Sequence, residues 1–243
     1  LFGRAPGELR RSEKPEVSAG RHGEIKLLLR YRPPYDWDAM LAFLRLRAIP
    51  GIEHVTQDSY ARTISLDGHQ GTLTVRPGTG NALQVTVRFP RLQALPTIIA
   101  RVRRVFDLAS DPVAIAAQFA GDPVMTSLIQ ARPGLRVPGA WDGFELALRA
   151  VLGQQITVVA AIRLGGKLVA AHGAPMTEPE GALTHVFPEP AVIAAADLAT
   201  LGMPRSRAAT LSAVGAAAVA DKHLFDACLL YTSDAAVDTP CVD

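Results

Sequence analysis

The chain has 243 residues, with 49% hydrophobic and 20% charged residues and a formal net charge of +2. That length and composition fit one large or two modest globular domains and exclude a disordered tail. No apolar run approaches the roughly 18 to 20 residues of a membrane span, and charges from Arg4 onward exclude a secretory leader at the start.

Cys228 and Cys241, both late in the chain, make neither a disulfide scaffold nor a recognisable metal site. The six histidines are scattered without a His-x-x-x-His pair, so no metal-dependent mechanism is expected. Lysine occurs only at 14, 26, 167 and 222, and arginine supplies the other basic residues. Arginine forks onto phosphate oxygens, which suits a nucleic-acid partner, but a GC-rich genome gives the same usage.

Residues 1–24 are polar and broken by Pro6, Pro15, Gly20 and Gly23. They read as the end of an upstream element followed by a linker. The opening LFGRAPGELRR is similar to the last helix of AraC-type DNA-binding domains, although a plain linker accounts for it as well. From Ile25 the apolar period becomes two, and IKLLLRYR reads as a strand. Asp36 is a suitable N-cap for a helix to about Arg47 with Trp37, Met40, Leu41 and Leu44 on one side. The alternating segments YARTISL, GTLTVRP and ALQVTVRF follow, joined by Asp67-Gly68 and by a turn at 78–81. Residues 25–90 are therefore expected to form a small antiparallel sheet covered by one helix.

After Pro90 the reading is helical throughout. Leu95, Ile98, Ile99, Val102, Val105 and Phe106 form one stripe, and Asp111-Pro112 starts a further helix. ARPGLRVPG at 131–139 is an extended connector, and helices are expected from Asp142 to about Leu152 and over GQQITVVAAIRLGGKLVAAHG. FPEPAVIAAAD and LGMPRSRAATLSAVGAAAVAD give two more. Residues 227–243 carry no helical or strand period and read as a non-native tail or a frayed end. The fold class is α+β, a small antiparallel sheet with its helix followed by an all-α unit at 91–226.

Four segments in order, PPYDWDAMLAFL, ARPGLRVPG, DGFELALRAVLGQQIT and LGMPRSRAATL, resemble the 3-methyladenine DNA glycosylase II family of the helix-hairpin-helix glycosylase superfamily. SYARTISL resembles that family's N-terminal sheet. The resemblance implies hydrolysis of the N-glycosidic bond of alkylated bases in double-stranded DNA, after the nucleotide is flipped out of the stack. It also implies a cytoplasmic location, no cofactor and no membrane partner. Phe43 matches an aromatic that lines the base pocket, though its place on the helix also suits plain core. Gln154 and Gln155 match the turn that enters the DNA gap. The best-known members carry leucine at the second position, and a helix-capping turn is the other reading of the pair.

Such enzymes stabilise the developing sugar cation with an aspartate that follows a Pro-Gly-Ile-Gly-x-Trp-Thr-Ala hairpin. That hairpin is absent, and the family pattern ends at about Phe225. Asp234 and Asp238 lack its context and are assigned no catalytic role, so no catalytic residue is expected in this chain and the chain is expected to be inactive alone. Lys167 has no partner motif for a Schiff-base mechanism. Without hairpin helices, part of the 95–108 stripe is expected to lie uncovered and to drive association. The competing reading is a non-enzymatic DNA-binding fragment of an adaptive-response regulator, in which the AraC-like opening belongs to a fusion of methyl-acceptor, regulator and glycosylase.

Overall fold

The computed structural model describes residues 18–19 and 24–225. The AraC-like opening and the tail with Cys228, Asp234, Asp238 and Cys241 lie outside them.

A six-stranded antiparallel sheet has the order β1-β2-β6-β5-β4-β3. Its strands are β1 (Ser18–Ala19), β2 (Glu24–Arg30), β3 (Glu53–Val55), β4 (Tyr60–Leu66), β5 (His69–Pro77) and β6 (Ala82–Arg88). Strands β3 to β6 form a meander, and β2 closes onto β6 with Glu24 opposite Arg88 and Arg30 opposite Ala82. The β4–β5 register is fixed by a two-residue turn with positive φ at both Asp67 (50°) and Gly68 (74°). This is the twist-matched hairpin geometry that Asp-Gly favours. Alternation places Leu27, Leu29, Leu73, Val75, Leu83, Val85 and Val87 in the core.

Helix α1 (Trp37–Arg47) begins where the Asp36 carboxylate accepts from the Ala39 N–H at 2.9 Å, and it buries Met40, Leu41 and Leu44. Helix α2 (Leu95–Val105) packs into the same core. Its Ile98, Val102 and Val105, with Phe106 just beyond, are all at most 3% exposed, and Leu95 and Ile99 are partly buried against the same core. The expectation of an uncovered stripe is therefore incorrect. The sheet takes two covering helices, and α2 supplies the second rather than facing a hairpin unit. Phe106 anchors the layer, stacking on Trp37 at 5.8 Å between ring centres and meeting Tyr60 edge-on at 5.8 Å.

Helices α3 (Pro112–Gln118) and α4 (Pro123–Ala131) start at Asp111 and Asp122, each accepting from two backbone N–H groups ahead of an N1 proline. The connector that follows is held by Arg136, whose guanidinium donates to the carbonyls of Asp107 and Ser110 (3.1 Å each), Pro34 (3.0 Å) and Arg32. Its glycines permit close approach. A Cβ on Gly134 would lie 2.6 Å from the Asp36 nitrogen, and one on Gly139 would lie 2.4 Å from the Arg104 carbonyl oxygen.

Helices α5 (Gly143–Gly153), α6 (Val158–His172), α7 (Pro190–Ala195) and α8 (Arg205–Ala220) share a second core of Phe144, Leu148, Leu152, Leu168, Ile193, Leu211 and neighbours. A third, smaller cluster of Ile49, Ile52 and Val169 joins the two layers, and Gly165 leaves room for Ile49.

The helical half also contains a hairpin, β7 (Pro175–Glu180) and β8 (Leu183–His185), which corrects the all-α reading of residues 91–226. Pro175, Pro179 and two glutamates hide it in the sequence. It forms because it docks on the sheet: Thr184 and His185 N–H donate to the Gly51 carbonyl, Thr72 donates to Glu180, and Gln70 bonds Pro175 and Thr177.

Burial of the α2 stripe has a measurable consequence. Ile98→Ala should cost about 2–5 kcal/mol, read from the urea midpoint, because a fully buried side chain is replaced by a cavity. A loss under about 1 kcal/mol would show that the stripe is not enclosed.

Candidate functional site

A cleft of about 500 Å³ opens between α1, α5 and the 138–142 connector, bordered on the far side by residues of α6. Phe43 projects from α1 onto its wall and is 36% exposed, so it is not plain core. The Arg47 guanidinium, one helical turn on, lies 3.8 Å from the centre of the Phe43 ring, a cation–π contact. Trp141 closes another side, with the Arg62 and Arg101 guanidinium carbons 4.7 and 5.4 Å from its ring.

The floor is a buried ionic network built from both layers. Strand β4 turns Tyr60, Arg62 and Ile64 inward, and all three are at most 3% exposed. On α5, Glu145 and Arg149 are one turn apart and face the same side. Arg62 donates to Glu145 at 2.7 Å, and Arg149 donates to Glu145 and to Glu53 at 2.6 Å each. Tyr60 donates its hydroxyl hydrogen to Glu53 at 2.7 Å, and Glu53 also accepts from the Ile49 N–H. Arg149 further donates to the Arg47 carbonyl at the end of α1, at 2.9 Å.

Burial alone would raise the Glu145 carboxyl, but the Arg62 and Arg149 charges and their hydrogen bonds outweigh it and hold the group at about 2. Burial and the adjacent Glu53 push the Tyr60 hydroxyl well above its ordinary value, so it stays a neutral donor. Asp142, the remaining carboxylate of the cleft, caps α5 through the Phe144 and Glu145 N–H groups and pairs with Arg101 at 3.2 Å. Every carboxylate lining the cleft among the described residues is thus engaged by cations or backbone donors.

At the cleft mouth, Gly153 and Ile156 line the cavity on either side of Gln154 and Gln155. Both glutamines are exposed. Gln155 has φ +55°, a left-handed conformation that a side chain other than Gly or Asn adopts at a cost. The Gln154 carbonyl accepts from Arg207 of α8 at 2.5 Å. Phe43 and the glutamine turn, which the sequence singled out, therefore border one cavity. Lys167 lies elsewhere, donating to the Leu201 carbonyl at 3.2 Å. Among the described residues no group of three His, Cys, Asp or Glu side chains is placed to hold a metal, and no helix is long and apolar enough to cross a membrane.

Sequence reasoning missed Arg47, Tyr60, Arg62, Trp141, Glu145 and Arg149. A signal existed for half of them: Arg62 occupies an inward position of an alternating strand, and Glu145/Arg149 form an i,i+4 pair inside an otherwise apolar helix.

The architecture of sheet, connector and helices is shared with solved DNA glycosylases. It aligns with the 3-methyladenine DNA glycosylase from Archaeoglobus fulgidus (TM-score 0.67, 21% identity, 78% of this chain and 65% of that one). It also aligns with a Clostridium acetobutylicum 8-oxoguanine glycosylase/lyase solved with double-stranded DNA (TM-score 0.57, 13% identity, 90% and 68%). Residues 26–142 match the AlkA N-terminal domain family. The chain is 35% identical over 188 residues to the Escherichia coli DNA-3-methyladenine glycosylase 2, covering 75% of this chain and 64% of that protein. It is also 35% identical over 209 residues to a Mycobacterium tuberculosis protein described as a probable bifunctional transcriptional activator/DNA repair enzyme AlkA, covering 86% and 42%. The chain spans under two thirds of the length of each of these two relatives.

The network sets an acid limit on stability. The folded-state pKa of Glu145 lies below its ordinary 4.5, so its contribution is fully present above about pH 4.5 and is lost as pH falls toward 2. Glu145→Gln should cost about 3–5 kcal/mol at neutral pH, by leaving two buried guanidiniums undercompensated. It should also flatten the fall in urea midpoint between pH 4.5 and the lowest accessible pH. A variant with the native acid slope would show that Glu145 is not the titrating group.

Proposed function

We propose that this chain forms the base-flipping and cleft-building part of a DNA glycosylase that hydrolyses the N-glycosidic bond of alkylated, 3-methyladenine-type bases in double-stranded DNA. The observation that carries this reading is the adjacency of an exposed Gln154–Gln155 turn, left-handed at Gln155, to a cleft walled by Phe43 and Trp141. Removing a base from the duplex requires something to occupy the gap and somewhere for the base to go. The Gln155 amide enters the gap and hydrogen-bonds the orphaned partner base, where leucine would wedge by apolar contact. The flipped base is held against the aromatic wall, and alkylated purines, being cationic, gain from aromatic faces.

Cleavage needs a carboxylate beside the sugar as positive charge develops there. Glu53, Glu145 and Asp142 are already committed to guanidiniums or backbone N–H groups, so the hydrolytic carboxylate is not one of these three. We expect the whole protein to act in the cytoplasm without a cofactor. A regulatory role beside excision is favoured by the Mycobacterium tuberculosis relative, of which this chain spans 42% and whose description includes transcriptional activation.

Two measurements test the reading. At micromolar concentration the 243-residue chain should release no 3-methyladenine from alkylated duplex DNA; release above a no-protein control would place the catalytic group within it. The chain should nevertheless raise the fluorescence of 2-aminopurine set in a mismatch in duplex DNA. Phe43→Ala should weaken that rise about tenfold, the order of one lost aromatic stacking contact. DNA-bound chain with unchanged fluorescence would overturn the flipping role.

A further inference from the structure

We infer that Arg207 is a positioning residue for the gap-entering turn, a role that rests on the base-flipping reading above. Gln155 sits at φ +55°, outside the comfortable range of its side chain, and nothing apolar encloses it, because Gln154 and Gln155 are both exposed. Such a conformation persists only where its surroundings hold it. The bond that does so comes from another helix: the Arg207 guanidinium donates to the Gln154 carbonyl at 2.5 Å, across 53 residues of sequence. That carbonyl belongs to the C-cap residue of α5, where the helix dipole and the unpaired carbonyls of the last turn attract a cation.

The donor is itself well anchored. Arg207 is next to Ala208, which is buried in the second core with Leu211, Leu148 and Leu152, so α8 and the last turns of α5 move as one body. Arg207 is half-buried on the rim of that core rather than part of it. Its bond to Gln154 takes one of five guanidinium N–H groups. The side chain therefore fixes the turn without contributing to the packing that holds the helices together. A flexible turn in place of a fixed one would pay the ordering entropy each time it entered the stack. The inference is that Arg207 acts on flipping and leaves fold stability and general DNA affinity nearly unchanged.

The experiment uses the full 243-residue chain, native and Arg207→Ala, with two readouts. In the free protein, amide hydrogen exchange of the peptide spanning Leu152–Thr157 should quicken about fivefold to tenfold in Arg207→Ala, the order expected for one exposed charge-assisted bond. The melting temperature should hold. With mismatched duplex containing 2-aminopurine, the fluorescence rise should fall by a similar factor while affinity for undamaged duplex changes by less than about threefold. Adding Gln155→Asn to Arg207→Ala should recover part of the rise, because asparagine tolerates the left-handed conformation and keeps the amide. Native-like exchange in Arg207→Ala would overturn the positioning role whether or not DNA is flipped. Quickened exchange with native flipping would overturn its link to function. A native chain that never raises fluorescence would instead sink the base-flipping reading, and the positioning role with it.

Discussion

The constraint on which this molecule depends is the need to neutralise the buried Arg62, the partly buried Arg149 and two buried carboxylates in one place. Taking each such ion from water costs several kcal/mol, and the pairs repay it only with closed geometry. The closure is double: Glu145 receives both Arg62 and Arg149, and Glu53 receives Arg149, the Tyr60 hydroxyl and the Ile49 N–H. Arg62, Tyr60 and Glu53 belong to the sheet, while Glu145 and Arg149 belong to α5. The register in which the sheet and helical layers meet is therefore tightly constrained, since a helix rotated by one residue would break both ion pairs that cross between them, Arg62–Glu145 and Arg149–Glu53. Arg149 extends the same constraint to α1 through the Arg47 carbonyl.

That register positions the cleft. With α5 locked to β4, the connector at 138–142 lays the Trp141 ring over Arg62, and α1 ends with Phe43 and Arg47 on the opposite wall. The same lock sets the direction in which α5 ends, and so where the glutamine turn stands relative to the cavity. The floor contributes almost no net charge because its two cations face two anions. Above that floor, the cleft presents aromatic surface and the Arg47 guanidinium, already lying on Phe43. The cleft is thus assembled from parts whose own charges are already paired within the fold, which is the sense in which it is preorganised.

Much of this was readable in the sequence where local rules and tertiary structure agree. Asp36, Asp111 and Asp142 cap the helices they were expected to cap, and Asp67-Gly68 makes the hairpin. The order of the four family segments identified the fold and pointed to the cavity through Phe43 and the glutamine pair. The failures share one cause. The α2 stripe was read correctly as amphipathic, but periodicity does not name the partner of an apolar face, and the partner is the sheet. The β7–β8 hairpin has no alternating pattern of its own, because its order comes from bonds to Gly51, Gln70 and Thr72 far away in sequence. The ionic floor was overlooked because charged residues within apolar segments read as solvent-facing until the opposite layer is in place.

The arginine-rich, lysine-poor composition, ambiguous in the sequence, has a physical explanation in the fold. Arg62 and Arg149 hold the floor, Arg104 bonds the Ala140 and Trp141 carbonyls, and Arg136 gathers four backbone carbonyls from two loops. Each use needs a planar, permanently charged fork with several donors in fixed directions, which a lysine ammonium does not offer. Of these arginines, Arg62 and Arg136 are buried, Arg149 is partly buried and Arg104 is exposed, and each spends donors on partners within the fold. A net charge of +2 over the whole chain gives no strong overall attraction to DNA. On the base-flipping reading proposed above, recognition of duplex DNA rests on shape, on the glutamine turn and on directed backbone contacts rather than on a broad positive field. A field of that kind would hold the protein anywhere along DNA, whereas a cleft and a fixed turn gain most where a base leaves the stack easily, as a mispaired or damaged one does.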